Sequence, residues 1–330
     1  MIQDGPFFRS LRESKNMTIQ SVADDLNSVS FISKFEKGNS NISLTRFERL
    51  LENINVSPEE YFYLRAVKND TTISETFTGQ DMNYLSSDFM ATVAKIYQIM
   101  TFQDLQSSNY PQLIDQLESL KQNLIPTVRW QRYLIIYINI LISTCRSNLE
   151  KNPNDLTIDE SMQIFYQQSK PIATYLYSVD TWTAFEITLF RIFLFSFPLD
   201  TAYQLTKTAL SRSEKQHSFD VIHKMRVDIM FSSFSLFCNF NQKKRAKEML
   251  EIATRALDND RDLENSTALL FYQGWFDIYF DNRENGIMQC NQAISIAHIL
   301  KQSSLEKNFR SSLELLKSYT PNQRNFLFFT

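Results

Sequence analysis

The chain has 330 residues, 43% hydrophobic, 22% charged and 13% aromatic, with a net charge of −3. That composition is globular rather than disordered or collagen-like, and the near-neutral charge excludes polyanion binding by bulk charge. Only 5 glycines occur, none between Gly79 and Gly274, which excludes a Rossmann fold or a β-sandwich there and leaves packed helices.

Residues 1–66 divide into five short amphipathic pieces. Phe8 and Leu11 share a face of the first. Thr18 caps the second, which carries Val22, Ala23 and Leu26. Ser28 or Ser30 caps the third, with Ile32 and Phe35 inside, and Ser43 caps the fourth, with Phe47, Leu50 and Leu51 inside. Ser57-Pro58-Glu59-Glu60 is a helix start with a capping Ser, a Pro at the first helical position and a Glu three after the cap. The middle pieces have helix-turn-helix spacing. Ala23 is small where two helices cross, and Asn27 is expected at a left-handed turn. Lys37-Gly38 closes the third helix. An ordinary helical hairpin is the alternative.

The residues Arg12, Val22-Ala23, Asn27, Ile32, Phe35, Glu36 and Gly38 resemble the phage-repressor (XRE-type) helix-turn-helix domain. The resemblance implies a structural ion pair between Arg12 and Glu36, with a solvated helix-end acid as the alternative for Glu36. It also implies that Val29, Ser30 and Lys34 face base edges, with Ser33 and Lys37 nearby. Lysine can donate to guanine, and valine can touch a thymine methyl. From Met1 to Arg49 acids and bases nearly cancel, so binding has to rest on segregation: Arg9, Lys15, Lys34, Lys37 and Arg46 toward phosphates, Asp24 and Asp25 elsewhere. One such copy binds weakly, and a dimer on two half-sites about 34 Å apart is expected.

Residues 68–80 lose the apolar period, which sets a helix-turn-helix domain at 1–66, a linker at 67–81 and a helical-repeat ligand-binding and dimerisation domain at 82–330. Helices are expected over 82–100, 102–123, 128–150, 157–168, 171–178, 180–195, 200–213, 217–239, 241–258, 263–281, 284–300 and 303–318. Prolines fall mostly at the breaks, and Pro111 is expected to divide its helix. The fold class is therefore all-α, a five-helix head followed by a tetratricopeptide-like α-solenoid. Gly274, Gly286 and Ala293 have tetratricopeptide spacing, although Asp277 stands where a bulky aromatic is expected. Polar residues inside apolar stretches are candidates to line a peptide groove: Asn139, Ser143, Glu186, Arg191, Arg226, Tyr272 and Gln273. Solvated positions on amphipathic helices are the alternative.

Two segments carry a resemblance to the Rgg/MutR family of transcription regulators. Ser33-Lys34-Phe35-Glu36-Lys37-Gly38-Asn39-Ser40-Asn41-Ile42-Ser43 is similar to its S-[RK]-F-E-[RK]-G-x-S-x-I-S motif. Ser178 to Glu186, with Trp182 and Glu186, is similar to its W-x-x-[YF]-E helix. The resemblance implies a cytoplasmic homodimer joined through C-terminal helices, binding double-stranded DNA and a short peptide pheromone (quorum sensing) and altering transcription. A body that binds a partner protein or small molecule, or serves dimerisation only, is the alternative.

No enzyme is expected. His217, His223 and His298 lack metal-ligand spacing with the cysteines, and neither a nucleophile motif nor a glycine-rich phosphate loop occurs. No cofactor or metal follows. Cys145, Cys238 and Cys290 read as reduced core thiols. The opening residues do not read as a signal peptide, and the longest apolar run, Tyr133–Ile142, is too short to span a bilayer, so no membrane association is expected.

Overall fold

The computed structural model describes residues 3–68, 87–101, 110–150, 158–216, 220–258 and 262–318. Among these residues the regular structure is helical, without a strand. The chain divides into two compact units, Met1–Gln98 and Ile99–Thr330. The last thirteen of the expected linker residues, 69–81, and the five after them, 82–86, lie outside the described residues, as do residues 102–109 of the expected helix 102–123.

The first unit opens with α1 (Asp4–Ser14), α2 (Ile19–Val22), α3 (Val29–Glu36), α4 (Leu44–Asn53) and α5 (Pro58–Lys68), and α6 (Ser87–Thr101) begins within it. Local chemistry starts each of the capped helices. Thr18 Oγ1 accepts the Ser21 N–H, Ser28 Oγ the Phe31 N–H and Ser57 Oγ the Glu60 N–H. Ser43 stands at the N-cap of α4 without a side-chain cap bond. Gly38, at φ +75°, ends α3 in the left-handed conformation, with the Asn39 N–H returning to the Lys34 carbonyl at 2.9 Å. Phe8, Ile32, Leu50, Leu51, Ile54 and Tyr61 are fully buried and form the core.

Three expectations change here. The second helix is one turn long and stops at Val22, leaving Ala23 extended and Leu26 exposed in the connector. The close crossing lies instead at Gly5, where a Cβ would stand 1.8 Å from the Phe35 carbonyl oxygen. Asn27 is not among the left-handed residues; it is wholly buried and donates to the Arg46 carbonyl at 3.1 Å.

Asp24 replaces a helical turn as the organiser of this connector. Its carboxylate accepts the Leu26 and Asn27 N–H groups at 3.0 and 2.8 Å. It also accepts from Arg49 Nε at 2.9 Å and Asn53 Nδ2 at 3.0 Å, while the same Asn53 nitrogen reaches the Val22 carbonyl. The Asn53 amide above all, then the Asn27 N–H and Arg49, hold the Asp24 carboxyl down at about 2 against desolvation.

The second unit continues with α7 (Tyr110–Gln122), α8 (Arg129–Glu150), α9 (Ile158–Ser178), α10 (Ala184–Phe193), α11 (Leu199–Arg212), α12 (Asp220–Asn239), α13 (Lys243–Leu257), α14 (Leu263–Phe280), α15 (Arg283–Ile299) and α16 (Ser303–Ser318). Successive helices pack as pairs, most extensively α14 with α15 and α12 with α13. In addition α10 touches α12, α12 touches α14, α14 touches α16 and α9 touches α11, so the helices stand in two rows. Gly274 and Gly286 set the α14–α15 crossing: a Cβ on Gly286 would lie 2.4 Å from the Gly274 carbonyl oxygen. Ala293 is fully buried in the same pair, and Asp277 accepts from Asn285 Nδ2 at 2.6 Å.

The expected helices 157–168 and 171–178 are one helix, with Pro171 inside α9. Proline removes one helical hydrogen bond, and buried Ile172, Ala173 and Leu176 keep the last turns against the body. Pro111 sits in the first turn of α7, where its missing N–H costs nothing, so it does not divide the helix. No helix among the described residues is long and apolar enough to cross a membrane.

The depressed Asp24 carboxyl makes a prediction with a definite sign. The unfolded side chain titrates near ~3.9, so the connector's contribution is complete above that value and is lost as pH falls toward about 2. Asp24→Asn is expected to lower the first unit's melting temperature at neutral pH, by the equivalent of ~2 kcal/mol. Melts in a descending pH series then depend less on pH for the variant than for the parent chain.

Candidate functional site

The outer side of α3 carries Val29, Ser30, Lys34 and Lys37, all exposed, with Ser33 half-buried beside them. Among the described residues, Lys15, Lys34 and Lys37 form no ion pair, which leaves three cations for an external anion. Arg9 differs, since Glu13 one turn on pairs with its Nε at 2.8 Å. Arg46 lies in the first turn of α4 with its guanidinium carbon 4.8 Å from the centre of the Phe31 ring. Asp24 is bound into the connector, as described above, and Asp25 is exposed.

Behind this surface Arg12 and Glu36 form a two-pronged pair. Arg12 Nε donates to Glu36 Oε1 at 2.6 Å and Nη2 to Oε2 at 2.8 Å, while Nη1 reaches the Met17 carbonyl. Both side chains are almost fully buried. Pairing on both oxygens suits the flat guanidinium fork and fixes α3 in rotation as well as distance.

The seven candidates in the body are not gathered into one groove. Asn139 and Ser143 line a cleft of about 430 Å³ among α7, α8 and α9, with Glu118, Lys121, Arg146 and Gln168. Lys121 Nζ donates to Asn139 Oδ1 at 3.2 Å, and the buried Gln168 Oε1 has no hydrogen-bond partner among the described residues. Gln273 lines a second cleft, about 560 Å³, with Lys247, Glu251, Arg255 and Gln289. Arg191 pairs with Asp228 at 2.8 Å. Tyr272 is buried against Phe231, ring centres 4.4 Å apart, and its hydroxyl is pushed upward by burial first and Asp228 second.

Glu186 and Arg226 are engaged within the fold. One Glu186 oxygen accepts the Tyr175 hydroxyl at 2.7 Å; the other accepts the Thr183 N–H at 2.9 Å, the reach-back half of a capping box. Arg226 donates to the Leu210 carbonyl and Ser213 Oγ and pairs with Glu214. The segment around Trp182 is likewise a helix junction. Trp182 Nε1 and Arg212 Nη1 both take the Leu176 carbonyl at the end of α9, and Arg212 also takes those of Tyr177 and Val179.

On α12 the sequence points to Arg226, but it leaves Lys224, Asp228 and Ser232 unmarked. That helix is buried on nearly all sides, yet Lys224, Asp228 and Ser232 are half-exposed at a spacing of four. Polar residues at i, i+4 and i+8 in an apolar run are the signal that marks such a stripe.

Residues 112–311 match the C-terminal domain of HTH-type transcriptional regulator Rgg, and residues 8–61 match a helix-turn-helix domain. Three solved structures share the fold. A Listeria monocytogenes EGD-e chain described as a transcriptional regulator has a TM-score of 0.69 at 19% identity, over 95% of this chain and 97% of that one. The Streptococcus dysgalactiae SHP pheromone receptor Rgg2 has a TM-score of 0.65 at 18% identity, over 94% and 99%. ComR from S. thermophilus, in complex with DNA and its signalling peptide ComS, has a TM-score of 0.50 at 11% identity, over 95% and 99%.

The buried pair is testable by contrast. Arg12→Ala leaves Glu36 buried and uncompensated and is expected to cost roughly 3–5 kcal/mol. Replacing both residues by methionine removes both charges, and that double variant should melt close to the parent chain in thermal denaturation.

Proposed function

Because the chain belongs to the Rgg family of HTH-type transcriptional regulators, we propose that it binds promoter DNA as a cytoplasmic homodimer and that a short peptide held by its helical body alters that binding. The observation that carries the DNA half is the exposed face of α3, where Lys34 and Lys37 form no ion pair among the described residues and the helix is locked from behind by Arg12 and Glu36. Val29, Ser30, Ser33 and Lys34 reach base edges, while Arg9, Lys15, Lys37 and Arg46 contact phosphates. Two heads occupy half-sites about one helical turn apart, ~34 Å. Residues 1–66 serve as the DNA-binding domain, 67–81 as the linker, and 82–330 hold the peptide and the partner subunit.

In the body, the half-exposed stripe of α12 and the Arg191–Asp228 pair form part of the peptide floor, alongside Tyr272, and the cleft of Asn139 and Ser143 offers amide and hydroxyl partners for a peptide backbone. The likeness in fold to the SHP pheromone receptor Rgg2, and to ComR in complex with DNA and its signalling peptide, supports this reading. Exposed Met288, Ile299 and Leu315 near the C-terminus supply apolar surface for the second subunit. A peptide changes DNA binding only through unequal affinity for the two arrangements of the dimer.

Fluorescence polarisation tests both halves, with labelled DNA from upstream of the chain's own gene and labelled short hydrophobic peptides encoded nearby. Saturable binding of both is expected, with DNA affinity reduced in Lys34→Ala. DNA binding with no peptide binding would transfer the body to a protein or small-molecule ligand. No DNA binding at any salt concentration would overturn the proposal.

A further inference from the structure

Residues 3–68 hold five arginines, and four of them have a carboxylate partner: Arg9 with Glu13, Arg12 with Glu36, Arg49 with Asp24 and Glu52, and Arg65 with Asp4. Among the described residues Arg46 is the exception, since no acid pairs with it. Its neighbour is an aromatic face, the Phe31 ring 4.8 Å from the guanidinium carbon. Phe31 is itself unusual, half-buried on a short helix whose Ile32 and Phe35 are in the core. The backbone at Arg46 is also held, because fully buried Asn27 donates to its carbonyl at 3.1 Å. A guanidinium stacked on a ring keeps its N–H donors in one plane with the edge outward.

We propose that Phe31 is a positioning residue for DNA binding: its ring lays the Arg46 guanidinium flat beside the recognition helix, ready for a backbone phosphate. The inference deepens the reading of α3 as the base-facing helix and rests on it. A free arginine side chain loses rotamer freedom when it grips an anion, and a stacked one has already lost much of it. Phe31 therefore contributes to affinity without touching DNA. A phosphate opposite Arg46 completes the pairing that the other four arginines find within the fold.

The test uses the full chain and a duplex that it selects itself from a random pool, with affinity followed across a salt series. Phe31→Leu is expected to weaken binding on the order of fivefold, with the melting temperature retained. Phe31→Tyr, which keeps the ring face, should bind as the parent chain does. Arg46→Ala should weaken binding and flatten the salt dependence by about 0.9 in the log–log slope. Phe31→Leu added to Arg46→Ala should then do no further harm. Losses that multiply in the double variant, or a folded Phe31→Leu chain that binds like the parent, would overturn the proposal. If Phe31→Leu does not fold, Arg46→Lys takes its place: charge without the flat face should bind more weakly, and parent-like affinity would overturn the proposal. If the parent chain selects no duplex, the DNA-binding reading itself falls, and this inference falls with it.

Discussion

One buried guanidinium and one buried carboxylate decide where the third helix of this protein lies. Arg12 and Glu36 join α1 to the end of α3 through two parallel hydrogen bonds, and the pair is nearly closed to water. Gly5 lets α1 approach the Phe35 carbonyl closely enough for that geometry to exist. The connector before α3 is tied to α4 by Asn27, and Arg46 of α4 stands over the Phe31 ring of α3. With both flanks fixed, the residues left facing outward are Val29, Ser30, Lys34 and Lys37. A buried ion pair is weak support for stability but a strong one for register, because breaking it strands a charge.

Much of this was legible in the sequence. The capping serines and threonine start α2, α3 and α5, and Gly38 ends α3, because each solves a backbone problem within four residues of itself. The Gly274, Gly286 and Ala293 spacing located a real crossing, since small residues are what a close helix pair requires. Other features depend on partners distant in the chain and leave little local trace. Asn27 has the look of a turn residue, but its amide serves a carbonyl nineteen positions away, in α4. Glu186 and Arg226 look available to a ligand in sequence, whereas a helix start uses the first and the Leu210 carbonyl, Ser213 Oγ and Glu214 hold the second. The same limit hid Asp24, whose partners run from Leu26 to Asn53.

The helical body solves a different problem. Its two rows bury aromatic side chains throughout, and α12 runs so deep in them that only a narrow polar stripe keeps contact with solvent. Charged groups in such a place are held by one another, as Arg191 of α10 holds Asp228 of α12. Stiff elements with a few exchangeable polar contacts suit a body that responds to a ligand, because a change at one contact is carried by whole helices rather than absorbed by loops.

The face of α3 built on the Arg12–Glu36 pair is the surface proposed to meet DNA. Hydrogen–deuterium exchange of the full chain with its selected duplex tests it most directly. Protection is expected over α3 and the first turn of α4, with the rest of the head changing little. Protection confined to the helical body, or to the opposite side of the head around α5, would contradict it.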